Sequence, residues 1–425
     1  MDRWKHSRTK QIEYSRRSPE QSDLYRLIYN YRDTFEHSWE ELFEHEYGAL
    51  KREVLEAFDK YLDCGILLHG AARVVCPKCK HSILVAHSCK RRCLCPSCDA
   101  KRSLVFAENL VREVLLPHPQ RHVVFTIPKR LRCYFRFDRK LLSSLYTAAW
   151  SAWNAYVAEI TPSDSKTAMA ASLHTAGDLM SFHPHIHSIA LSGAVDGAGV
   201  FHSLPDPVET DKLCEMFADR VFEALLGTGL IEEETVNNMK SWEHSGFSVY
   251  VSEPIEPDNT DSLHFLARYL KRCPVSLERL SIDESGGEPV VNYVSYRDDE
   301  VSTRKFSPLE FLAELSQHLP LMWEQTTRYF GLYSARTRGA RNDDSLKMEA
   351  SEDHCEEPPR KATVSWARGM KKIFQVDPLI CPRCGETMKI RAFLSDSREI
   401  ERLCSNLGVD AWRAPPPFAK ASIVA

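Results

Sequence analysis

The chain is 425 residues long, about three times the ~150 residues usual for one domain, so several packed units are expected. Hydrophobic residues make up 43% and charged residues 27%, ordinary globular usage that excludes a wholly disordered or collagen-like chain. The net charge of -4 conceals an asymmetry: residues 18–63 hold 5 Lys/Arg against 12 Asp/Glu, whereas residues 64–140 hold 16 against 4. The second stretch is the expected polyanion-facing part.

The N-terminal stretch from Met1 to His6 leads into polar, charged sequence without the apolar core of a secretory signal, so a cytoplasmic protein is expected. Residues 23–62 carry apolar positions at helical spacing (Leu24, Leu27, Ile28, Tyr31, then Leu50, Val54, Phe58, Leu62) and predict two amphipathic helices, a lid or docking element. Ala100 to Leu116 predicts a helix stopped at Pro117, and His122 to Ile127 a core strand stopped at Pro128. The longest uncharged run, Leu141 to Ala158, is broken by Ser143, Ser144, Thr147, Ser151 and Asn154, so it predicts a long soluble helix and no membrane span. Its tryptophans, Trp150 and Trp153, are expected in the core.

Strands are predicted over 185–195 and 247–252, giving a mixed α+β unit of about residues 120–330. Residues 334–365 read as a charged linker. A small last unit from Trp366 to Leu407 precedes a Pro-Pro-Pro tail expected to be disordered.

Seven of the fourteen cysteines fall between Cys64 and Cys98. In a reducing compartment such clustering points to metal, not disulfides. Cys76-Pro-Lys-Cys79 and Cys95-Pro-Ser-Cys98 match the two-knuckle spacing of a tetrahedral site, predicting one structural Zn2+ on Cys76, Cys79, Cys95 and Cys98. Cys89 and Cys93 lie between the pairs and compete as ligands. Lys90, Arg91, Arg92, Lys101 and Arg102 surround this module and are expected to contact DNA phosphates. Cys381-Pro-Arg-Cys384 lacks a second pair at standard spacing; Cys404 and Cys355 are the candidate partners.

In His183-Pro-His185-Ile-His187, alternate residues of a strand share one face, so His185 and His187 can share a divalent ion. From Asp261 to Cys273 the sequence reads as a helix of about three turns, capped at Asp261, with Phe265 and Tyr269 one above the other beside Arg268, Lys271 and Arg272. A tyrosine ringed by cations near a metal can attack a phosphodiester. By itself each of these patterns is also what a surface histidine pair or a half-buried helix aromatic would show.

Together with Tyr61-Leu-Asp-Cys64-Gly, Val124-Phe-Thr-Ile-Pro128, His174-Thr-Ala-Gly177 and Arg328-Tyr-Phe-Gly-Leu-Tyr333, these blocks resemble the bacterial rolling-circle transposases of the HUH class, the tyrosine transposases with an N-terminal zinc-binding domain. The resemblance runs along nearly the whole chain. It implies an HUH nuclease-like antiparallel sheet with packed helices, an N-terminal helical and zinc-binding module (1–63 and 64–118), a catalytic domain at 119–333 and a small C-terminal unit at 366–425. It also implies that His185 and His187 hold Mg2+ or Mn2+ and that Tyr269 becomes linked to the 5′ end of cut single-stranded DNA at element ends and target. Phe265 stands where the two-tyrosine branch has its first tyrosine, so the chain resembles the single-tyrosine branch. The third metal ligand is open, with His183 a candidate.

The partners implied are single-stranded DNA and no membrane, with a homo-oligomer admitted, in the cytoplasm on the nucleoid. The same residues leave three other readings open: a replication initiator or relaxase of the same chemistry, a non-catalytic DNA-binding regulator, and a histidine-triad nucleotide hydrolase, which would need no tyrosine.

Overall fold

The computed structural model describes residues 18–297, 300–322, 324–341 and 379–413. The extreme N-terminus, most of the expected charged linker with Cys355, and the Pro-rich tail lie outside the described residues. In chain order, α1 (Asp23–Leu42), α2 (Glu44–Tyr47) and α3 (Arg52–Leu62) precede β1 (Ala71–Val75), β2 (Ser82–Ala86) and α4 (Pro96–Asn109). Then come β3 (Gln120–Thr126), α5 (Arg132–Phe137), α6 (Leu142–Ile160), β4 (Ala168–Ala176), β5 (Phe182–Leu191), β6 (Gly193–Val195) and β7 (Phe201–Ser203). They are followed by α7 (Thr210–Leu226), α8 (Glu233–Lys240), β8 (Ser248–Val251), α9 (Thr260–Tyr269), β9 (Leu280–Asp283), β10 (Val290–Arg297) and β11 (Glu300–Phe306). Last are α10 (Pro308–Gln317), β12 (Thr327–Gly331), α11 (Ala335–Arg341), β13 (Lys389–Leu394) and α12 (Ser397–Leu407). Among the described residues no helix is long and apolar enough to cross a membrane.

The chain divides into two compact units. The larger, described over 34–54 and 92–341, is built on a five-stranded antiparallel sheet of order β12-β4-β5-β3-β8. This is an α+β arrangement in which β5 is the middle strand. Side chains alternate across a sheet, and the two faces have separate cores. On one, Val123, Phe125, Met169 and Ile186 pack with Tyr146 and Trp153 of α6 and Phe217 of α7. On the other, Ala168, Ala170, Ile189 and Leu191 pack with Leu110 and with Leu266 and Leu270 at the end of α9.

Trp153 is fully buried and Trp150 stacks on Phe330, so both tryptophans serve packing. The block Arg328 to Tyr333 has a structural explanation. Arg328 lies over the Tyr146 ring, and the buried Tyr333 hydroxyl donates to Gln120 Oε1 at 2.7 Å. At Gly331 the backbone is left-handed (φ 56°), and a Cβ would fall 2.1 Å from the Thr167 carbonyl oxygen. A second sheet, β11-β10-β9, packs on α10, whose start carries a reciprocal capping box of Ser307 and Glu310.

The smaller unit, described over 18–33, 55–91 and 379–413, holds a three-stranded sheet of order β13-β1-β2. The segment expected as a separate C-terminal unit thus supplies an edge strand to the zinc module: Ala71 faces Leu394, and Val75 faces Lys389. This pairing joins positions about 300 residues apart, so no local spacing announces it. Leu67, Ala71, Leu84, Leu394, Ile400 and Cys404 form one core of the unit. Helix α12 is capped by Asp396, which accepts from the N–H groups of Arg398 and Glu399, and ends at left-handed Gly408.

Candidate active site and cysteine centre

Register brings the histidines together. In β5, His185 and His187 point to the face that α9 covers, with Ile189 and Leu191. Directly across the ladder, His174 of β4 pairs with His185, and Ser172 pairs with His187. On the other side Val124 of β3 pairs with His187, which puts His122, two residues earlier, on the same face. Cross-strand neighbours lie about 5 Å apart at Cβ, and the ring centroids follow: His174 to His187 4.5 Å, His185 to His187 4.8 Å, His174 to His185 5.6 Å.

One nitrogen of each of these three rings is engaged by a fixed neighbour. His185 Nδ1 donates to the His183 carbonyl at 2.7 Å, His187 Nδ1 is 3.0 Å from His122 Nε2, and His174 Nε2 donates to the Leu270 carbonyl at 3.3 Å. Each ring therefore keeps its other nitrogen for a ligand, and one ring nitrogen from each of the three lies within 4.8 Å of the others. A neutral imidazole held through its second nitrogen is the usual form of a metal ligand. Burial, before any other cause, keeps them neutral: His174 is pushed down to about 3 and His122 to about 4, and His185 and His187 are lowered as well. Burial thus favours the neutral imidazole at each of these positions relative to an ordinary histidine.

The third member of the cluster is His174, not His183. His183 faces the same cavity, but its Nε2 is buried without a hydrogen-bond partner and it is outside the ligand group. The His174-Thr-Ala-Gly177 block held the signal: a histidine near the end of a strand that pairs with the His-x-His strand. Gly177 closes the turn between the two strands, its N–H donating to the Ser181 carbonyl at 2.8 Å, where a Cβ would meet Ser181 Oγ at 2.7 Å.

Helix α9 carries Tyr269 onto this face. It starts at Asn259, whose side chain accepts from the Ser262 N–H, two residues before the expected cap Asp261. Its last turn is docked on the sheet, because the Leu270 carbonyl, free at a helix end, accepts from Ser172 Oγ at 2.7 Å and from His174. The Tyr269 ring consequently lies 4.9 Å from that of His187 and 5.8 Å from that of His174. Phe265, one turn earlier, is 73% exposed, outside the cluster. A cavity of about 360 Å³ opens here, lined by the histidines, Tyr269, Arg272 and Arg279.

The three cations expected around Tyr269 separate. Arg272 lies over the Tyr269 ring at 5.8 Å. Lys271 turns the other way, donating to Thr326 Oγ1 at 3.0 Å over the Phe106 ring, with its amine lowered to about 8 chiefly by burial. Arg268 is exposed.

Of the expected phosphate contacts in the larger unit, Arg92 donates to the carbonyls of Glu324 at 2.5 Å and Leu321 at 3.2 Å, and Arg102 to Asp99 at 2.6 Å. Both have structural duties. Lys101 is half-buried on α4, while Lys90 is exposed and Arg91 half-buried in the smaller unit.

The four-cysteine set expected from spacing is corrected in its partners. Within the smaller unit Cys76 Sγ lies 3.5 Å from Cys384 Sγ, and Cys79 Sγ lies 3.5 Å from Cys381 Sγ. Cys95 and Cys98 instead open α4 in the larger unit. Cys64 Sγ accepts from the Cys89 N–H at 3.4 Å. Cys404, a candidate partner of Cys381, is buried among Leu67 and Ile400.

Two family models match the chain: "Putative transposase" over residues 168–341 and "Transposase zinc-binding domain" over residues 34–127. The transposase for insertion sequence element IS801 of Pseudomonas savastanoi pv. phaseolicola is 27% identical over 377 residues, 84% of this chain and 87% of that protein. "Putative transposase y4qJ" of Sinorhizobium fredii is 23% identical over 346 residues, 76% of this chain and 82% of that protein. No solved structure matches. His174, His185, His187 and Tyr269 fall within the first matched segment, and Cys76 and Cys79 within the second; Cys381 and Cys384 lie beyond both.

Proposed function

The chain belongs to the transposase family defined by these two domains, and from that premise we propose that it nicks and rejoins single-stranded DNA at the ends of a mobile element through a 5′-phosphotyrosine intermediate. The observation that carries this reading is the packing of Tyr269 against a cluster of three histidines, His187 buried and His174 and His185 half-buried, with one ring nitrogen from each close enough to share an ion. An antiparallel sheet with the histidine pair on its middle strand supports the HUH nuclease-like assignment.

The donor set fits a divalent ion. Three imidazoles suit a borderline ion such as Mn2+ better than Mg2+, which favours oxygen ligands. His174, His185 and His187 would hold it, and the ion would polarise a non-bridging oxygen of the scissile phosphate.

Tyr269 Oη attacks the phosphorus in line with the departing 3′-oxygen. The P–O3′ bond breaks, the 5′-phosphate stays on the tyrosine, and the 3′-oxygen leaves as a hydroxyl, taking up one proton for the one the phenol gives. Arg272, which lies over the ring, would bear the phosphate charge. Rejoining is the reverse attack by a free 3′-hydroxyl on the phosphotyrosine, which conserves bond energy and needs no ATP. Phe265 has no hydroxyl and stands exposed, so Tyr269 serves as a single nucleophile.

The test is incubation of the full chain with labelled single-stranded oligonucleotides spanning the element ends and Mn2+ or Mg2+, followed by denaturing electrophoresis. A denaturant-resistant adduct is expected, lost in Tyr269→Phe and in the His185→Ala, His187→Ala double variant, and kept in Phe265→Ala. An adduct persisting in Tyr269→Phe would overturn the assignment of the nucleophile.

A further inference from the structure

Cys381 and Cys384 sit outside both matched family segments, yet they meet Cys76 and Cys79 inside the smaller unit. Three of the sulfur pairs are 3.5, 3.5 and 3.6 Å apart, and all four sulfurs lie within 4.8 Å of one another. A disulfide would need about 2.05 Å. Four thiolates on one Zn2+ with arms of about 2.3 Å stand about 3.8 Å apart along the edges of a tetrahedron. The observed separations are close to those edges.

The two halves are built alike. In each, a Cys-Pro-cation-Cys turn is followed by a residue in the left-handed region, Lys80 (φ 62°) in one and Gly385 (φ 72°) in the other. In each, that residue's N–H donates to the carbonyl of the first cysteine, at 3.1 Å to Cys76 and 2.9 Å to Cys381. Each first cysteine is fully buried and closes a hairpin-like pair, Cys76 N–H to the His81 carbonyl and Cys381 N–H to the Glu386 carbonyl. Lys80 has a side chain and still adopts the left-handed conformation, which costs about 1–2 kcal/mol. The surroundings must hold it there. Val74, Val85 and Met388 pack around the two buried thiols, and the Cys79 N–H donates to Cys76 Sγ at 3.4 Å.

We propose that Cys76, Cys79, Cys381 and Cys384 form a closed, all-thiolate zinc site that clasps the C-terminal segment to the N-terminal zinc module. The metal then completes what the β1–β13 pairing begins, and residues 379–413 are part of the zinc module in the fold. Closing so long a loop is where a clip has the most chain entropy to remove. The clasp stands apart from the tyrosine chemistry and does not rest on it.

Zinc per chain, measured on purified full-length protein, tests it. Relative to wild type, Cys381→Ser with Cys384→Ser should lose one equivalent, and Cys76→Ser with Cys79→Ser should lose one. The quadruple variant should lose that same one and no more, while Cys404→Ser should lose none. Full zinc retention in the Cys381/Cys384 variant, or loss of two equivalents in the quadruple variant, would overturn the clasp.

Because such variants can misfold, the wild-type protein supplies a second reading. Thiol alkylation followed by peptide mapping should find Cys79 and Cys384 protected as purified and labelled together after chelation. Labelling of both before chelation, although Cys79 is exposed at the surface, would equally overturn the proposal.

Discussion

The two clusters differ in how the chain assembles them. The histidine cluster comes from two adjacent strands joined by a short turn, so its members are fixed by ladder register within residues 174–187. The Cys76/Cys79/Cys381/Cys384 cluster comes from two turns about 300 residues apart, joined through the β1–β13 pairing. Local patterns identify ligand types in both. In neither do they complete the set: His174 depends on the β4–β5 register and Cys381 and Cys384 on the β1–β13 pairing.

The sharpest way to break this comparison is to remove the cross-strand histidine. His174→Ala should weaken Mn2+ binding by more than about 100-fold, beyond the 10–100-fold typical of an outer partner, while His183→Ala should leave it near wild type. Electron paramagnetic resonance titration of free Mn2+ measures both. Equal losses in the two variants would return the third-ligand role to His183.

Arg92 and Arg91, adjacent in sequence, were expected to act together on DNA, and the structure gives them different surroundings. Arg92 bonds two carbonyls of the segment 321–324. Arg92→Ala should therefore cost about 2–3 kcal/mol of stability, read by chemical denaturation, with the salt slope of DNA binding unchanged. Arg91→Ala should leave stability alone and reduce that slope by about 0.7–0.9. If Arg92→Ala lowered the slope without destabilising the protein, its carbonyl contacts would not be its role.

Much of the fold was legible from periodicity. The helix at 142–160 and the strand at 120–126 fall close to where apolar spacing put them, and the strand expected at 185–195 runs over 182–191, burying both faces against the two cores. The α+β class followed from their alternation. What stayed hidden was non-local. His174 looked like part of a short motif until register set it opposite His185, and Lys271 looked like a phosphate ligand until the turn after α9 set it on Thr326. Cys76 and Cys79 had two Cys-x-x-Cys pairs available, and nearness in sequence favoured Cys95/Cys98 over Cys381/Cys384, whose sulfurs lie beside theirs. The antiparallel pairing of β13 with β1, which decides between them, leaves no trace in the spacing.

His122 probes the layer behind the ligands. Its Nε2 is 3.0 Å from His187 Nδ1, and the rings stack at 5.2 Å. With His187 Nδ1 donating, His122 fixes the tautomer that frees His187 Nε2. His122→Ala should reduce Mn2+ affinity about 10–100-fold, and His122→Asn, which restores an acceptor, should recover part of it. No loss in His122→Ala would show that His187 is oriented by packing alone.

The smallest effect separates a buried histidine beside the site from the ligands themselves. His318 is buried; its Nε2 donates to the Met180 carbonyl at 3.0 Å, and its Nδ1 accepts from Thr175 Oγ1 at 3.1 Å. Burial lowers it to about 4, opposed by the Met180 hydrogen bond and aided by Arg139, Arg136 and Arg304. In the unfolded chain a histidine titrates near 6.5. Between pH 6.5 and 4 the unfolded state therefore binds a proton that the folded state refuses, so acid favours unfolding, by up to ~1.4 kcal/mol per pH unit. His318→Gln keeps a donor and an acceptor but cannot take the proton. From pH 7.5 to 5.5 wild type should lose about 1 kcal/mol more stability than the variant, by denaturant titration at each pH. Parallel losses in the two proteins would mean that His318 is already charged in the fold, and the Thr175 contact would then have to be given up.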